Sequence, residues 1–124
     1  MKKPEEISYK FKFNRKKLWA LDLPVEEINI SELSHNFSIP YLEMENTDDW
    51  NLSINQLLEN LQREVTHAEK MENSDLKYPI DIYCFKDNWI ILDGVHRLAK
   101  AKNLGYRKIK IRKVREEDIE KIKI

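Results

Sequence analysis

The pattern of hydrophobic and polar positions along the chain predicts four β-strands. Residues 25–30 and 108–114 alternate apolar side chains with acidic or basic ones, which is typical of a strand with one buried face. Residues 89–92 form a short apolar run that suits a buried strand, and residues 80–85 precede it with strand-forming side chains. Because only residues 86–88 separate these two stretches, we predict a β-hairpin with a three-residue turn.

Three other stretches repeat apolar residues at the spacing of a helix. They cover residues 53–62, 64–72 and 94–104, and each would turn one apolar face towards a sheet. Gly105 follows the third stretch, at the place where a left-handed residue commonly ends a helix. His67 falls among the polar positions of the second stretch, so we expect it on the surface.

Strands and helices in this order predict an α+β fold, a small mixed β-sheet with packed helices. We expect residues 1–124 to form a single domain in which the helices at about 53–72 are an insertion. The composition of 41% hydrophobic and 35% charged residues, with 10% aromatics, favours a folded domain over a disordered chain. Residues 1–17 alternate aromatic side chains with lysines, which predicts an edge strand or an arm over the core.

Composition also bears on environment and partners. The sequence has no apolar run long enough to cross a membrane and no signal-peptide pattern, so we expect a cytoplasmic protein with no membrane partner. Cys84 is the only cysteine, which excludes an internal disulfide, and we expect a buried, unreactive thiol. The net charge is zero, with basic ends around an acidic middle. Since these regions can pair on folding, DNA is a partner that we consider but do not favour.

One stretch combines the signals of a helix start with basic side chains: Asp-Gly-Val-His-Arg at residues 93–97. It lies between a predicted strand and a predicted helix, and Asp93 is a good N-cap. A helix N-terminus has positive partial charge, so His96 and Arg97 are mildly unfavourable in the first turn unless an anion binds there. Gly94 would let such a ligand approach the backbone closely. The alternative is that both basic side chains point into solvent.

The anion interpretation makes two further predictions about this helix. Arg97 should be the main anion ligand, because a guanidinium can grip two oxygens of one phosphate. The helix should bury Leu98 and Ala101 and should present His96, Lys100 and Asn103 together on an open side, as helical spacing dictates.

Residues 78–111 resemble the ParB/sulfiredoxin superfamily. The shared pattern is Pro-Ile at residues 79–80, a strand, the Asp-Gly-Val-His-Arg turn, a helix, Leu-Gly at residues 104–105 and a closing strand. A weaker similarity to the first strand and turn of that family lies at residues 25–33. The resemblance implies a ParB/sulfiredoxin-like domain.

The same resemblance implies a nucleotide site. Gly94, Val95, His96 and Arg97 would bind nucleotide phosphates, and Asp93 and His96 would be catalytic, with Asp93 orienting a hydroxyl group or a magnesium ion. The implied nucleotide is ATP, ADP or CTP, with Mg²⁺ as a candidate companion. Sulfiredoxin activity itself is not implied, because Val95 stands where that family has its reactive cysteine.

Three classes of function are compatible with this resemblance. The first is a phosphoryl-transfer enzyme, such as a kinase that uses ATP or ADP and an unknown small-molecule substrate. The second is a DNA-binding or nuclease-like protein of the ParB family, to which the carboxylates between residues 43 and 49 could contribute. The third is a non-catalytic nucleotide sensor. No metal-binding motif is present in the sequence, so we predict no metal ligands.

Overall fold

A computed structural model describes residues 2–124, which form an α+β fold around a four-stranded mixed sheet. The strands are Glu26–Asn29 (β1), Ile80–Phe85 (β2), Asn88–Asp93 (β3) and Lys108–Val114 (β4). Their order across the sheet is β1-β4-β2-β3. Strand β4 runs parallel to β2 and antiparallel to β1, and β2 runs antiparallel to β3. The four predicted strands and the mixed sheet are confirmed.

The hairpin between β2 and β3 has a two-residue turn, so the predicted three-residue turn is wrong. Phe85 pairs with Asn88, and Lys86 and Asp87 between them have positive φ values of 51° and 64°. Two left-handed central residues give a turn whose twist matches that of the flanking strands. The expectation of a buried Cys84 is also wrong, because β2 becomes exposed as it approaches this turn.

In the described part of the chain, residues 2–124, five α-helices accompany the sheet: Arg15–Trp19 (α1), Ile54–Glu59 (α2), Val65–Glu72 (α3), Val95–Asn103 (α4) and Glu116–Ile122 (α5). Helices α2, α3 and α4 are the three predicted ones. Helix α2 starts with reciprocal hydrogen bonds, in which the N–H of Gln56 donates to Ser53 Oγ at 3.2 Å and the N–H of Ser53 donates to Gln56 Oε1 at 2.9 Å. Gly105 is left-handed, with φ of 76°, directly after α4 has ended, as predicted. No helix within residues 2–124 is long and apolar enough to cross a membrane.

The core has two parts, one on each face of the sheet, because successive strand residues point to opposite faces. On one face α4 packs against isoleucines of three strands, Ile80, Ile82, Ile91, Ile109 and Ile111. On the other face α5 and the N-terminal arm cover Tyr83, Ile90, Leu92 and Val114. Of the predicted stretch 1–17, the described residues 2–17 contribute an arm over the core, and their one strand-like bridge joins Phe13 to Lys123.

Arg112 of β4 ties α1 to the sheet. Its Nε donates to Asp81 Oδ1 at 2.7 Å, and its terminal nitrogens donate to the carbonyl oxygens of Leu21 at 2.7 Å and Leu18 at 3.0 Å. Both charged side chains are buried, and burial raises the pKa of Asp81 although the Arg112 guanidinium opposes that shift. These hydrogen bonds of Arg112 to Asp81, Leu18 and Leu21, which we name the Arg112 clamp, fix the end of α1, so that Trp19 lies beside the end of β3.

Side chains cover the free edge of β3. The carbonyl oxygen of Trp89 accepts from Asn36 Nδ2 at 2.9 Å and lies 2.6 Å from His35 Nε2. The N–H of Ile91 donates to the Tyr41 hydroxyl at 2.9 Å. These backbone groups would otherwise be open to pairing with another chain.

Candidate functional site

Gly94 sets the shape of the turn that carries the predicted site residues. It has φ of 112° and is the N-cap of α4. An added Cβ would lie 3.1 Å from Ile80 Cγ1 and 3.1 Å from Nη2 of Arg97, so conformation and packing both require glycine. The prediction of Asp93 as the N-cap is wrong, because strand pairing with Asp81 continues through Asp93, and α4 has no side-chain cap.

Arg97 folds back against this turn, so the solvent-pointing alternative is wrong for this side chain. Its Nη2 donates to Asp93 Oδ2 at 3.1 Å, and the side chain is 19% exposed. Its Nε is buried without a hydrogen-bond partner, the one such side-chain atom within residues 2–124. A buried donor without an acceptor is unfavourable. Arg97 therefore has unused hydrogen-bonding capacity at the start of α4.

The carboxylate of Asp93 holds Arg97 in place. Its Oδ2 also accepts from Trp19 Nε1 at 2.9 Å, and Arg15 Nη1 lies 3.7 Å from Oδ1. These contacts give Asp93 a positioning role towards the guanidinium and leave it less capacity to orient a substrate hydroxyl group or a magnesium ion. A catalytic role for Asp93 stays a prediction.

His96 contacts a buried histidine of α3. His67 Nδ1 lies 2.9 Å from His96 Nε2, and the two rings are stacked with centroids 5.1 Å apart. His67 Nε2 lies 2.9 Å from the carbonyl oxygen of Glu43, and His67 is only 4% exposed. The prediction of His67 on the surface is wrong, because it shares the buried side of α3 with Met71, four residues later.

The environment of His96 keeps it neutral near pH 7. Burial first, and then the neighbouring His67, Lys70 and Arg15, lower the pKa of His96 to about 4, against a smaller opposing effect of Asp93. The first turn of α4 thus presents one positive charge, that of Arg97, where the sequence suggested two basic side chains.

The predicted open side of α4 is not formed. Leu98 and Ala101 are buried as expected. Lys100 Nζ, however, donates at 2.8 and 2.7 Å to two carbonyl oxygens at and just beyond the end of α3. His96 also faces α3, and Asn103 is exposed. Helix α3 packs along the side of α4 that was predicted to be open. The side chains of His96, Lys100 and Asn103 therefore do not act together.

The start of α4 lies in a cleft of about 870 Å³, which we name the α4 cleft. Residues 93–97 all line it, together with parts of the N-terminal arm, α1 and α3. Its charged lining residues are Lys3, Arg15, Lys70 and Arg97, against Glu69 and Asp93. Basic side chains therefore outnumber acidic ones around the helix N-terminus, and such an arrangement attracts anions.

Within residues 2–124 no group of three or more His, Cys, Asp or Glu side chains is arranged to hold a metal ion. Among the carboxylates between residues 43 and 49, that of Glu45 accepts from the N–H and the hydroxyl of Thr66 at 3.2 and 2.9 Å, so it caps the start of α3. The backbone of Glu43 contacts His67. These contacts are structural and do not support the nuclease-like alternative.

Residues 59–63 read Glu-Asn-Leu-Gln-Arg and were not among the predicted site residues. The ParB proteins that the chain resembles complete their nucleotide site with a Glu-Asn-x-x-Arg segment. Here the segment covers the end of α2 and the turn after it, and Arg63 pairs with the buried Glu64. None of its five residues lines the α4 cleft. The structure therefore does not bring this segment to the turn at residues 93–97.

Comparisons of the chain with protein-family models, with curated proteins and with solved structures give no match. The resemblance to the ParB/sulfiredoxin superfamily thus stays a prediction from residues 78–111 and 25–33.

Proposed function

We propose that the α4 cleft binds the phosphate groups of a nucleotide, ATP, ADP or CTP, in a domain of the ParB/sulfiredoxin type. The observation that carries the proposal is the fixed position of the Arg97 side chain and its unused hydrogen-bond donor. Its guanidinium is fixed by Asp93 at a helix start without a side-chain cap, and its Nε has no acceptor. A phosphate supplies the acceptor oxygens that the guanidinium and the first-turn N–H groups lack.

The surroundings of Arg97 support a ligand with several negative charges. Lys3 lies over the rings of Tyr9 and Trp50, with Nζ 4.3 and 5.5 Å from their centroids, so this lysine is held at the cleft by cation–π contacts. Arg15 and Lys70 line the same cleft. Its volume of about 870 Å³ lies within the range of cofactor sites, so a whole nucleotide has room.

Phosphoryl transfer to a small molecule is the enzyme activity that this site supports best. Such reactions depend mainly on positioning and on neutralising charge, which Arg97, the lysines and the start of α4 would supply. Any Mg²⁺ would enter with the nucleotide, since the described residues contain no metal-binding cluster. A non-catalytic sensor would use the same contacts, and only a turnover assay separates it from an enzyme.

A thermal-shift screen with ATP, ADP, CTP and GTP, each with and without Mg²⁺, tests the proposal. A ligand that binds the native state raises the melting temperature, by an amount set by its concentration relative to Kd. We expect a shift with at least one nucleotide. A shift with duplex DNA and with none of the nucleotides would overturn the proposal in favour of the DNA-binding alternative, and no shift at all would overturn both.

A further inference from the structure

The contacts of His67 determine which of its ring nitrogens carries hydrogen. The carbonyl oxygen of Glu43 can only accept a hydrogen bond, so Nε2 of His67 must be the donor. A neutral His67 then has a lone pair on Nδ1. That nitrogen lies 2.9 Å from Nε2 of His96, so the bond between the rings runs from His96 to His67. One backbone carbonyl thereby fixes the tautomer of both rings.

The fixed tautomer leaves His96 with a lone pair on Nδ1. This nitrogen makes no hydrogen bond to any residue in the 2–124 range, and His96 lines the α4 cleft. The charged or titratable groups around the ring are His67 and Lys70 of α3, Arg15 of α1 and Asp93 of β3. Burial of the ring and the two cations Lys70 and Arg15, against the single carboxylate of Asp93, disfavour a second proton on the ring. His96 therefore offers the cleft a neutral hydrogen-bond acceptor.

We propose that His96, held in this tautomer by His67, makes the α4 cleft selective for oxyanions that bring a hydroxyl hydrogen. Arg97, the next residue, can only donate hydrogen bonds, whereas Nδ1 of His96 can only accept one. An oxyanion with an O–H group on or beside its charged oxygens satisfies both residues. An anion without a hydrogen would place an oxygen lone pair next to the lone pair of His96 Nδ1, and these two acceptors repel each other.

The ligand class is thus a phosphate group that carries a hydroxyl hydrogen, as inorganic phosphate and the terminal phosphate of a nucleotide do when they are protonated, and sulfate is disfavoured. His67 acts as a positioning residue, since it reaches the ligand only through His96. The inference rests on the proposed function and narrows the ligands of that same site.

The tautomer can be read directly in the ligand-free protein. Long-range ¹H–¹⁵N correlation spectra of histidine-labelled protein near neutral pH distinguish a protonated ring nitrogen from an unprotonated one. We expect hydrogen on Nε2 and none on Nδ1 for both His67 and His96. In His67→Phe we expect His96 to populate both tautomers, and in His67→Gln, whose amide can both accept and donate, we expect a smaller change. A cationic His96, or one with hydrogen on Nδ1 in the unsubstituted protein, would overturn the inference.

Calorimetry with two inorganic anions tests the selectivity, because phosphate keeps a hydroxyl group near neutral pH and sulfate has none. We expect phosphate to bind at least about tenfold more tightly than sulfate, as the loss of one hydrogen bond to a charged ligand implies. His67→Phe should bring the two affinities closer together. The control is His35→Gln, because His35 contacts the Trp89 carbonyl at the edge of β3 and does not line the α4 cleft. This variant should keep the full preference.

The outcomes separate the inference from the function on which it rests. Equal binding of phosphate and sulfate, or tighter binding of sulfate, overturns the selectivity and leaves the anion site standing. An unchanged preference in a folded His67→Phe protein overturns the positioning role of His67. Binding of neither anion overturns the proposed phosphate site, and the selectivity with it, whatever tautomer the spectra show.

Discussion

Gly94→Ala should destabilise the protein more than the same substitution at its other glycine, Gly105. Alanine at φ of 112° is strained by about 1–3 kcal/mol. Its Cβ would also lie 3.1 Å from Arg97 Nη2 and from Ile80 Cγ1, and overpacking of this kind costs about 1–3 kcal/mol more. We therefore expect the free energy of unfolding to fall by about 2–6 kcal/mol.

Gly105→Ala is the matched control. Gly105 is also left-handed, with φ of 76°, but an added Cβ there has no neighbour within 4 Å. Only backbone strain applies, and we expect a loss of about 1–2 kcal/mol. Urea unfolding followed by circular dichroism gives both free energies under one set of conditions. If Gly94→Ala loses no more stability than Gly105→Ala, the turn is not shaped around Arg97 as described.

Three further predictions concern stability. Arg112→Met should lower the free energy of unfolding, measured with urea, by about 3–5 kcal/mol, because it leaves Asp81 buried without its partner. A loss below about 1 kcal/mol would contradict the stabilising role of the Arg112 clamp. Ser53→Ala removes the cap of α2 and should cost about 1 kcal/mol by the same assay, whereas no change would mean that the cap is unimportant. The pKa of His96 is lowered from 6.5 to about 4, so the unfolded chain binds more protons between these values and stability falls as pH falls through them. In unfolding measured at about pH 7 and pH 5, His96→Gln should show a weaker pH dependence than the unsubstituted protein, and equal slopes would contradict the shift.

The strands were predictable because their signal is local. The bounds of β2 and β4 agree with the prediction to the residue, since apolar and polar side chains define each strand directly. The turn after β2 was not predictable, because Lys86-Asp87 lacks the glycine or asparagine that usually marks a turn with two left-handed residues. Helix α1 was missed because it has only five residues and is held in place by Arg112, far along the chain.

The site was predictable only in part, because only some of its contacts join residues that are close together in the sequence. The helix start and the importance of Gly94 and Arg97 follow from five consecutive residues. The contact between Trp19 and Asp93 spans 74 positions, and the pairing of His67 with His96 spans 29, so neither has a local signal. The spacing of His67 and Met71, four residues apart on α3, was the one available indication that His67 is buried.

The most direct test of the central claim compares two arginine variants by calorimetry with the nucleotide that gives the largest thermal shift. Arg97→Ala removes the guanidinium at the start of α4, and Arg107→Ala removes an exposed arginine that does not line the α4 cleft. Losing charge-assisted hydrogen bonds of about 1.5–3 kcal/mol corresponds to roughly ten- to hundredfold weaker binding. We predict that loss for Arg97→Ala, with folding retained and with Arg107→Ala unchanged. Equal affinity of the two variants would contradict the phosphate site.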